Sequence, residues 1–175
     1  MEGVGLDEIS WTLSDHFPAV SWGHIRTEGG GIVPTLHIFR GLPGSGKSTQ
    51  ARKLAAELGA IFIEADMFHV SDGNYRFNDN RAEYVYRDMP KLLGALASYG
   101  MDIVYAGVLP VEESIRHIAD PCRACGYKIN ITTCSGKWDN VHNVPSDVLE
   151  SMRKCFQPSI TTDNLYPEIG KANVI

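Results

Sequence analysis

The segment from Gly41 to Thr49, which reads GLPGSGKST, constrains the fold of this chain more than any other segment. Gly41, Gly46, Lys47 and Ser48 match the spacing G-x-x-x-x-G-K-[ST] of a phosphate-binding P-loop. The glycines let backbone N–H groups turn inward to form a concave anion site, and the following helix directs its positive end to the same place. The segment therefore predicts a site for a nucleoside triphosphate.

The elements around this segment support the prediction. The apolar run 35–39 is typical of a strand, and the apolar residues of 48–58 recur at helical spacing up to Gly59. Strand, loop and helix thus follow in the order that a P-loop requires. Lys47 is expected to reach the outer phosphates, and Ser48 to ligate Mg²⁺. The residues predicted to contact the nucleotide are Gly41, Leu42, Pro43, Gly44, Ser45, Gly46, Lys47, Ser48 and Thr49.

Strands alternate with helices along the rest of the chain. The predicted strands occupy 60–66, 101–107 and 127–134, and the predicted helices occupy 81–99, 112–125 and 146–156. We expect Asp79 or Asn80 to cap the first of these helices, and Pro121 to interrupt the second. The alternation predicts an α/β fold with a parallel sheet and right-handed crossovers.

Composition sets the broad class of the protein. The 175 residues carry a formal net charge of -5 at pH 7, and 43% of them are hydrophobic. This indicates a globular domain without an overall positive field for nucleic acid, although a local basic groove remains open. We expect a domain at 34–157, an extension at 1–33 packed on it, and an irregular tail at 158–175.

The sequence also allows a prediction of the cellular compartment and of the state of the cysteines. No run is long and apolar enough to span a membrane, and the N-terminus lacks the pattern of a signal peptide. Cys122 and Cys125 form a single C-x-x-C pair, whereas a structural zinc site needs two more ligands, which favours reduced cysteines that pack. We therefore expect a cytoplasmic protein.

Asp66 lies at the end of the second predicted strand. Ligands of parallel α/β sheets bind outside the carboxyl ends of the strands, so Asp66 is expected near the P-loop. A carboxylate there can orient an acceptor hydroxyl and accept its proton late in phosphoryl transfer. The alternative is that Asp66 caps the turn that follows it.

The P-loop, the Ala65-Asp66 strand end and the segment Tyr75-Arg76-Phe77 together resemble small P-loop kinases of the polynucleotide 5′-kinase type. That group includes the kinase-like domain of Nedd4-binding proteins, and zeta-toxin and chloramphenicol phosphotransferases are more distantly similar. The resemblance extends over 36–156, and 140–145 resembles the lid of the group. It implies a three-layer P-loop NTPase fold with strand order 2-3-1-4 and helices on both faces. It also implies ATP with Mg²⁺ and a general base at Asp66.

Three features depart from that group. His69 stands where polynucleotide kinases carry an arginine that holds an acceptor phosphate, and Asp139 stands where the lid carries an arginine. The third strand also ends without a carboxylate. These departures leave the identity of the acceptor open.

Further candidate site residues flank Asp66 and the lid. Lys137 is a candidate for the cation over the phosphates, and a solvated loop lysine is an equal alternative. His69 and Arg76 are candidates for gripping a substrate phosphate. Tyr75 is a candidate for stacking a base, with packing as its alternative.

The pattern as a whole predicts an ATP-dependent kinase. The expected acceptor is a hydroxyl of a nucleic acid or nucleotide, either a polynucleotide 5′ end or hydroxymethyl-pyrimidine DNA. A small-molecule or sugar-nucleotide phosphotransferase of the zeta-toxin kind is one alternative. The other is an NTP-binding regulator that does not transfer phosphate.

Overall fold

The computed structural model describes residues 33–137 and 144–167. The strands of the main sheet are β1 (Thr35–Arg40), β2 (Ile61–Glu64), β3 (Ile103–Gly107) and β4 (Lys128–Thr133). The helices are α1 (Lys47–Leu58), α2 (Asp79–Ala97), α3 (Glu112–Ala124), α4 (Ser146–Cys155) and α5 (Thr162–Leu165). A 3₁₀ helix (Ala65–His69) follows β2, and an antiparallel hairpin (Val70–Ser71 with Asn74–Tyr75) follows the 3₁₀ helix.

The strand order across the sheet is β2-β3-β1-β4, which confirms the order implied by the family resemblance. All neighbouring strands are parallel, and β1 is central: Ile38 lies beside Tyr105 of β3 on one side and beside Ile131 of β4 on the other. The carboxyl ends of parallel strands meet at one edge of a sheet. Because the P-loop begins at the carboxyl end of β1, that edge holds the loops where a ligand site is expected.

Helices cover both faces of the sheet, as expected. Alternate residues of a strand point to opposite faces. Leu36 and Ile38 join the larger core with α2 and α3, whereas Phe39 joins the smaller core with Ala51 and Ala55 of α1. The result is a three-layer α/β fold. No helix in the described part of the chain has the length and apolar character needed to cross a membrane.

Two details of the helices differ from the predictions. The side chain of Asn78 caps α2 by accepting a hydrogen bond from the backbone N–H of Arg81, so neither Asp79 nor Asn80 is the cap. Helix α3 continues through Pro121 without the predicted interruption. Helix α2 packs against this turn, and the resulting tertiary contact outweighs the helix-breaking tendency of proline.

The described part of the C-terminal tail packs into the core. Ile160, Leu165 and Tyr166 belong to the larger core, and Tyr166 has no exposed surface. The Tyr166 hydroxyl donates a hydrogen bond to Asp120 Oδ1 over 2.8 Å. The prediction of an irregular tail is therefore wrong for 162–165, which form α5. The extension 1–33 lies almost wholly outside the described residues, so the predicted domain division stays a prediction.

Candidate active site

The P-loop connects β1 to α1 by a tight turn. Gly44 and Gly46 adopt positive φ angles of 73° and 83°, and the backbone N–H of Ser45 donates to the Leu42 carbonyl over 3.0 Å. Glycine adopts such angles without steric cost, so the turn favours glycine at both positions. Gly41 is required for a different reason, because a Cβ there would lie 2.3 Å from Ser45 Oγ. The glycines of the motif therefore each have a steric role.

Two polar side chains of the loop are buried without a partner among the described residues. Ser45 Oγ makes no hydrogen bond there, and Lys47, which is 8% exposed, forms no ion pair there. Burial lowers the pKa of Lys47, while the charges of Asp66 and Glu64 raise it. Burying an unpaired ammonium costs free energy, so the loop fits an anionic ligand that would pair with it. Ser48 follows Lys47 and is partly buried.

Asp66 lies in the first turn of the 3₁₀ helix, two residues beyond the end of β2. The N-cap of this helix is Glu64, so Asp66 does not cap it. The Tyr75 hydroxyl lies 3.5 Å from Asp66 Oδ1. Burial raises the pKa of Tyr75 to about 12, and the charge of Asp66 and the hydrogen bond to it act in the same direction. Tyr75 therefore stays protonated at neutral pH and orients the carboxylate. Asp66 and the P-loop both follow strands that end at the same edge of the sheet, and the charge of Asp66 raises the pKa of Lys47, so the two groups lie near each other.

His69 and Arg76 lie in different surroundings. His69 is 3% exposed, and its ring stacks on Phe77 with 4.9 Å between centroids and 24° between planes. Burial lowers the pKa of His69, so the ring is neutral at pH 7. The backbone N–H of Arg76 donates to the His69 carbonyl over 2.7 Å, and the Arg76 side chain is exposed. His69 therefore supports the hairpin, and contact of either residue with a substrate stays a prediction.

A cavity of about 490 Å³ opens beside the P-loop, within the usual range for small-molecule sites. The P-loop, the residues after β4 and the end of α4 form its walls. Lys137, the predicted lid cation, lines this cavity together with Arg153 and Phe156, which the sequence analysis did not single out. Of the segment 140–145 that resembles the lid, 140–143 lie outside the described residues, as does Asp139.

Arg40 is a further residue that the sequence analysis missed. It directly precedes the P-loop, and its side chain is fully buried. Its Nε donates to the Leu109 carbonyl over 3.0 Å, and its two Nη atoms donate to the carbonyls of Gln157 and Pro110 over 2.9 and 3.2 Å. The Phe156 ring centroid lies 4.4 Å from the guanidinium carbon. Arg40 thus ties β1 to the loop after β3 and to the end of α4. In the sequence, the signal that could have pointed to Arg40 was a charged residue at the end of a predicted strand.

Glu64 was missed as well. It ends β2 and is 6% exposed. Its Oε1 accepts from Arg52 of α1, whereas its buried Oε2 has no partner among the described residues. The signal in the sequence was again a charged residue at the last position of an apolar strand.

Taken together, the three-layer fold and the P-loop with its buried Lys47 define a protein of the P-loop class. A family model described as AAA domain, AAA_33, matches residues 36–158. This match covers well over half of the chain, so the chain belongs to that family.

Solved structures share the fold at low identity. Two structures of the Pnkp1/Rnl/Hen1 complex, one of them described as an RNA repair complex, are 17% and 18% identical to this chain, with TM-scores of 0.50 and 0.51. The alignments cover 82% and 77% of this chain but only 45% and 43% of the matched chain. An unliganded sugar kinase from Janibacter sp. HTCC2649 is 17% identical, with a TM-score of 0.44 and coverage of 81% and 79%. This chain thus spans less than half of the matched chain in the Pnkp1/Rnl/Hen1 complex.

Proposed function

We propose that this chain is an ATP-dependent kinase that transfers the γ-phosphate of ATP to a hydroxyl of a nucleic acid or nucleotide. One observation carries the proposal: Lys47, buried and without an ion pair among the described residues, and Asp66, whose carboxylate lies 3.5 Å from the Tyr75 hydroxyl, both follow strands that end at the same edge of the sheet. A protein that only binds nucleotide needs the lysine but has no use for a positioned carboxylate. The pair therefore favours phosphoryl transfer over binding alone.

The P-loop residues fit a triphosphate. Ser45 Oγ and the Lys47 ammonium are the buried groups that an anion would satisfy. Ser48, in the first turn of α1, is the residue that we assign to Mg²⁺. The ion, when bound, supplies neutralisation of the charge that develops on the phosphates. The cavity beside the loop has room for the rest of a nucleotide.

The acceptor side lies around the hairpin. Asp66 orients the acceptor hydroxyl and accepts its proton, and Tyr75 holds the carboxylate in place. Phe77 is 61% exposed and lies beside the exposed Arg76. An aromatic ring next to a cation suits a base and its phosphate, which supports a nucleic acid or nucleotide acceptor over a plain sugar.

A second candidate is an NTP-binding regulator without catalysis. The observation that favours it is β3, which reads Ile-Val-Tyr-Ala-Gly and offers no carboxylate to the site. The two candidates share nucleotide binding and differ in whether phosphate is transferred.

The deciding experiment is transfer of labelled γ-phosphate from ATP with Mg²⁺ to a panel of acceptors. The panel holds 5′-hydroxyl DNA and RNA, hydroxymethyl-pyrimidine DNA, nucleosides and UDP-sugars. We expect label on a nucleic acid or nucleotide, loss of ATP binding in Lys47→Ala, and a rate about 10²–10⁴-fold lower in Asp66→Asn. Asp163→Asn, which changes an exposed aspartate of α5 that lines neither the hairpin nor the cavity, is the matched control and keeps the activity.

Each outcome has a distinct meaning. Label on a UDP-sugar alone would support a phosphotransferase of another substrate class. ATP binding that depends on Lys47, with no label on any acceptor, would support the regulator. Full activity in Asp66→Asn would refute the role of Asp66.

A further inference from the structure

The carboxylate of Glu64 has no part in the reaction outlined above, although it lies close to the site. Glu64 is 6% exposed at the carboxyl end of β2, the strand that leads to Asp66. Arg52 pairs with Oε1 only, and Oε2 is buried without a partner among the described residues. Burial of an unsatisfied carboxylate oxygen costs free energy. The second oxygen therefore indicates a ligand that the protein itself does not supply.

The salt bridge with Arg52 indicates where Glu64 lies relative to α1. Ser48 and Arg52 are four residues apart in this helix, so their side chains lie on one face, one turn apart. Phe62, two residues before Glu64 in β2, packs with the core that α1 forms, so Glu64 also faces α1, where it pairs with Arg52. The charge of Glu64 also reaches Lys47, the neighbour of Ser48. Glu64 thus lies at the carboxyl end of β2, on the same side of the sheet as the helix that carries Ser48.

The strand beside β1 lacks the acidic residue that usually completes a Mg²⁺ site of this kind. In P-loop NTPases the Mg²⁺ ion lies between the Ser or Thr of the loop and an acidic residue on a nearby strand. Strand β3, directly beside β1, has no acidic residue. Glu64 is on the next strand, opposite Ala106 of β3, which offers no polar group of its own. Glu64 is thus the acidic residue on the α1 side of the sheet that can take over this role.

We propose that Glu64 and Ser48 form the Mg²⁺ site of this chain, with Glu64 Oε2 binding the ion through a coordinated water. The proposal rests on the proposed function, because the ion binds together with the triphosphate. Mg²⁺ prefers hard oxygen ligands and keeps several waters, so phosphate oxygens and water complete the site. The absence of any cluster of three or more His, Cys, Asp or Glu within the described residues fits such a site better than an all-protein cage.

The test uses Mn²⁺ as a paramagnetic substitute and a non-hydrolysable ATP analogue. Affinity for the analogue is measured by calorimetry in EDTA, and Mn²⁺ affinity of the protein–analogue complex is measured by electron paramagnetic resonance. We expect Glu64→Gln to weaken Mn²⁺ binding about 10- to 100-fold, as is typical when a group that orients metal ligands is removed. Analogue binding in EDTA should stay within a factor of three.

Two variants control for the loss of the ion pair. Arg52→Gln removes the partner of Glu64 but keeps the carboxylate, so Mn²⁺ affinity should change far less than in Glu64→Gln. Glu57→Gln changes an exposed carboxylate of the same helix and should have no effect. Should Glu64→Gln fail to fold by circular dichroism, Glu64→Asp keeps the charge, withdraws the oxygens by one carbon, and should weaken Mn²⁺ binding in the same direction.

The failures of the two proposals are distinguishable. If the wild-type chain does not bind the analogue in EDTA, the proposed function fails and this inference fails with it. Wild-type Mn²⁺ affinity in Glu64→Gln, or in Glu64→Asp where only that variant folds, would overturn the role of Glu64 and leave the kinase proposal standing.

Discussion

Arg40 offers a direct test of how the site is held together, because its contacts are long-range and buried. Its guanidinium donates to the carbonyls of Leu109, Pro110 and Gln157, which come from two different loops. Arg40→Met keeps most of the apolar stem but removes all three donors. The Leu109 carbonyl then loses its partner in the interior of the protein, and the Pro110 and Gln157 carbonyls lose theirs in partly buried positions.

The expected loss follows from two opposing contributions. Each hydrogen bond from a charged donor contributes about 1.5–3 kcal/mol, so three contribute about 4.5–9 kcal/mol. Burying the guanidinium costs several kcal/mol, which the substitution recovers. We expect the free energy of unfolding to fall by about 3 kcal/mol. For a domain of this size the melting temperature should then fall by about 10 °C.

Urea unfolding followed by circular dichroism measures this change. Arg87→Met is the matched control, because Arg87 is exposed and, among the described residues, contacts the adjacent Asp88 and the exposed ring of Tyr84; its unfolding midpoint should change little. Arg40→Lys keeps the charge but cannot supply all three donors, so its stability should lie between wild type and Arg40→Met. A midpoint for Arg40→Met equal to or above that of wild type would refute the reasoning, since it would show that the buried charge costs as much as its hydrogen bonds contribute.

Two further predictions test the helix cap and the burial of the thiols. Asn78→Ala should lower the free energy of unfolding by about 1 kcal/mol, and Asn80→Ala should change it less; equal losses in urea unfolding would contradict the assignment of the cap. Cys125 and Cys155 are exposed and should react rapidly with a thiol reagent at pH 8, while the two buried thiols react slowly until the chain unfolds. Burial raises the pKa of Cys122 to about 12, which leaves almost no thiolate there at that pH, so rapid reaction of all four thiols would contradict the packing.

The parts of the fold that depend on residues close together in the sequence could be predicted. Gly41, Gly46 and Lys47 stand at fixed spacing, and the strand before them and the helix after them follow from local periodicity. The order of the strands came from the family resemblance, because local periodicity does not say which strands pair.

The parts that were missed depend on contacts between distant segments. Arg40 bonds to carbonyls 69, 70 and 117 residues away, and no local pattern encodes such partners. Glu64 is defined by a salt bridge to α1 and by an oxygen without a partner, both of which require the packed structure. The cap of α2 was misplaced for another reason: three residues that are good caps, 78–80, stand in a row, and local preference does not choose among them.

Arg153 is our candidate for the cation that neutralises the transferring phosphate in place of a lid arginine. Phosphoryl transfer spreads negative charge over the equatorial oxygens, and a cation near them lowers the barrier. Arg153 lines the cavity beside the P-loop, and its ion pair with Glu150 is exposed and long at 3.6 Å, so little free energy holds the side chain away from a nucleotide.

We therefore expect Arg153→Met to lower kcat about 10²-fold with little change in KM for ATP. Lys154→Met is the matched control on the same helix, because Lys154 is exposed and does not line that cavity. Steady-state kinetics on the acceptor found in the panel measures both parameters. A rise in KM alone would make Arg153 a residue for ATP binding, and equal kinetics in the two variants would leave Lys137 as the cation nearest the phosphates among the described residues of that cavity.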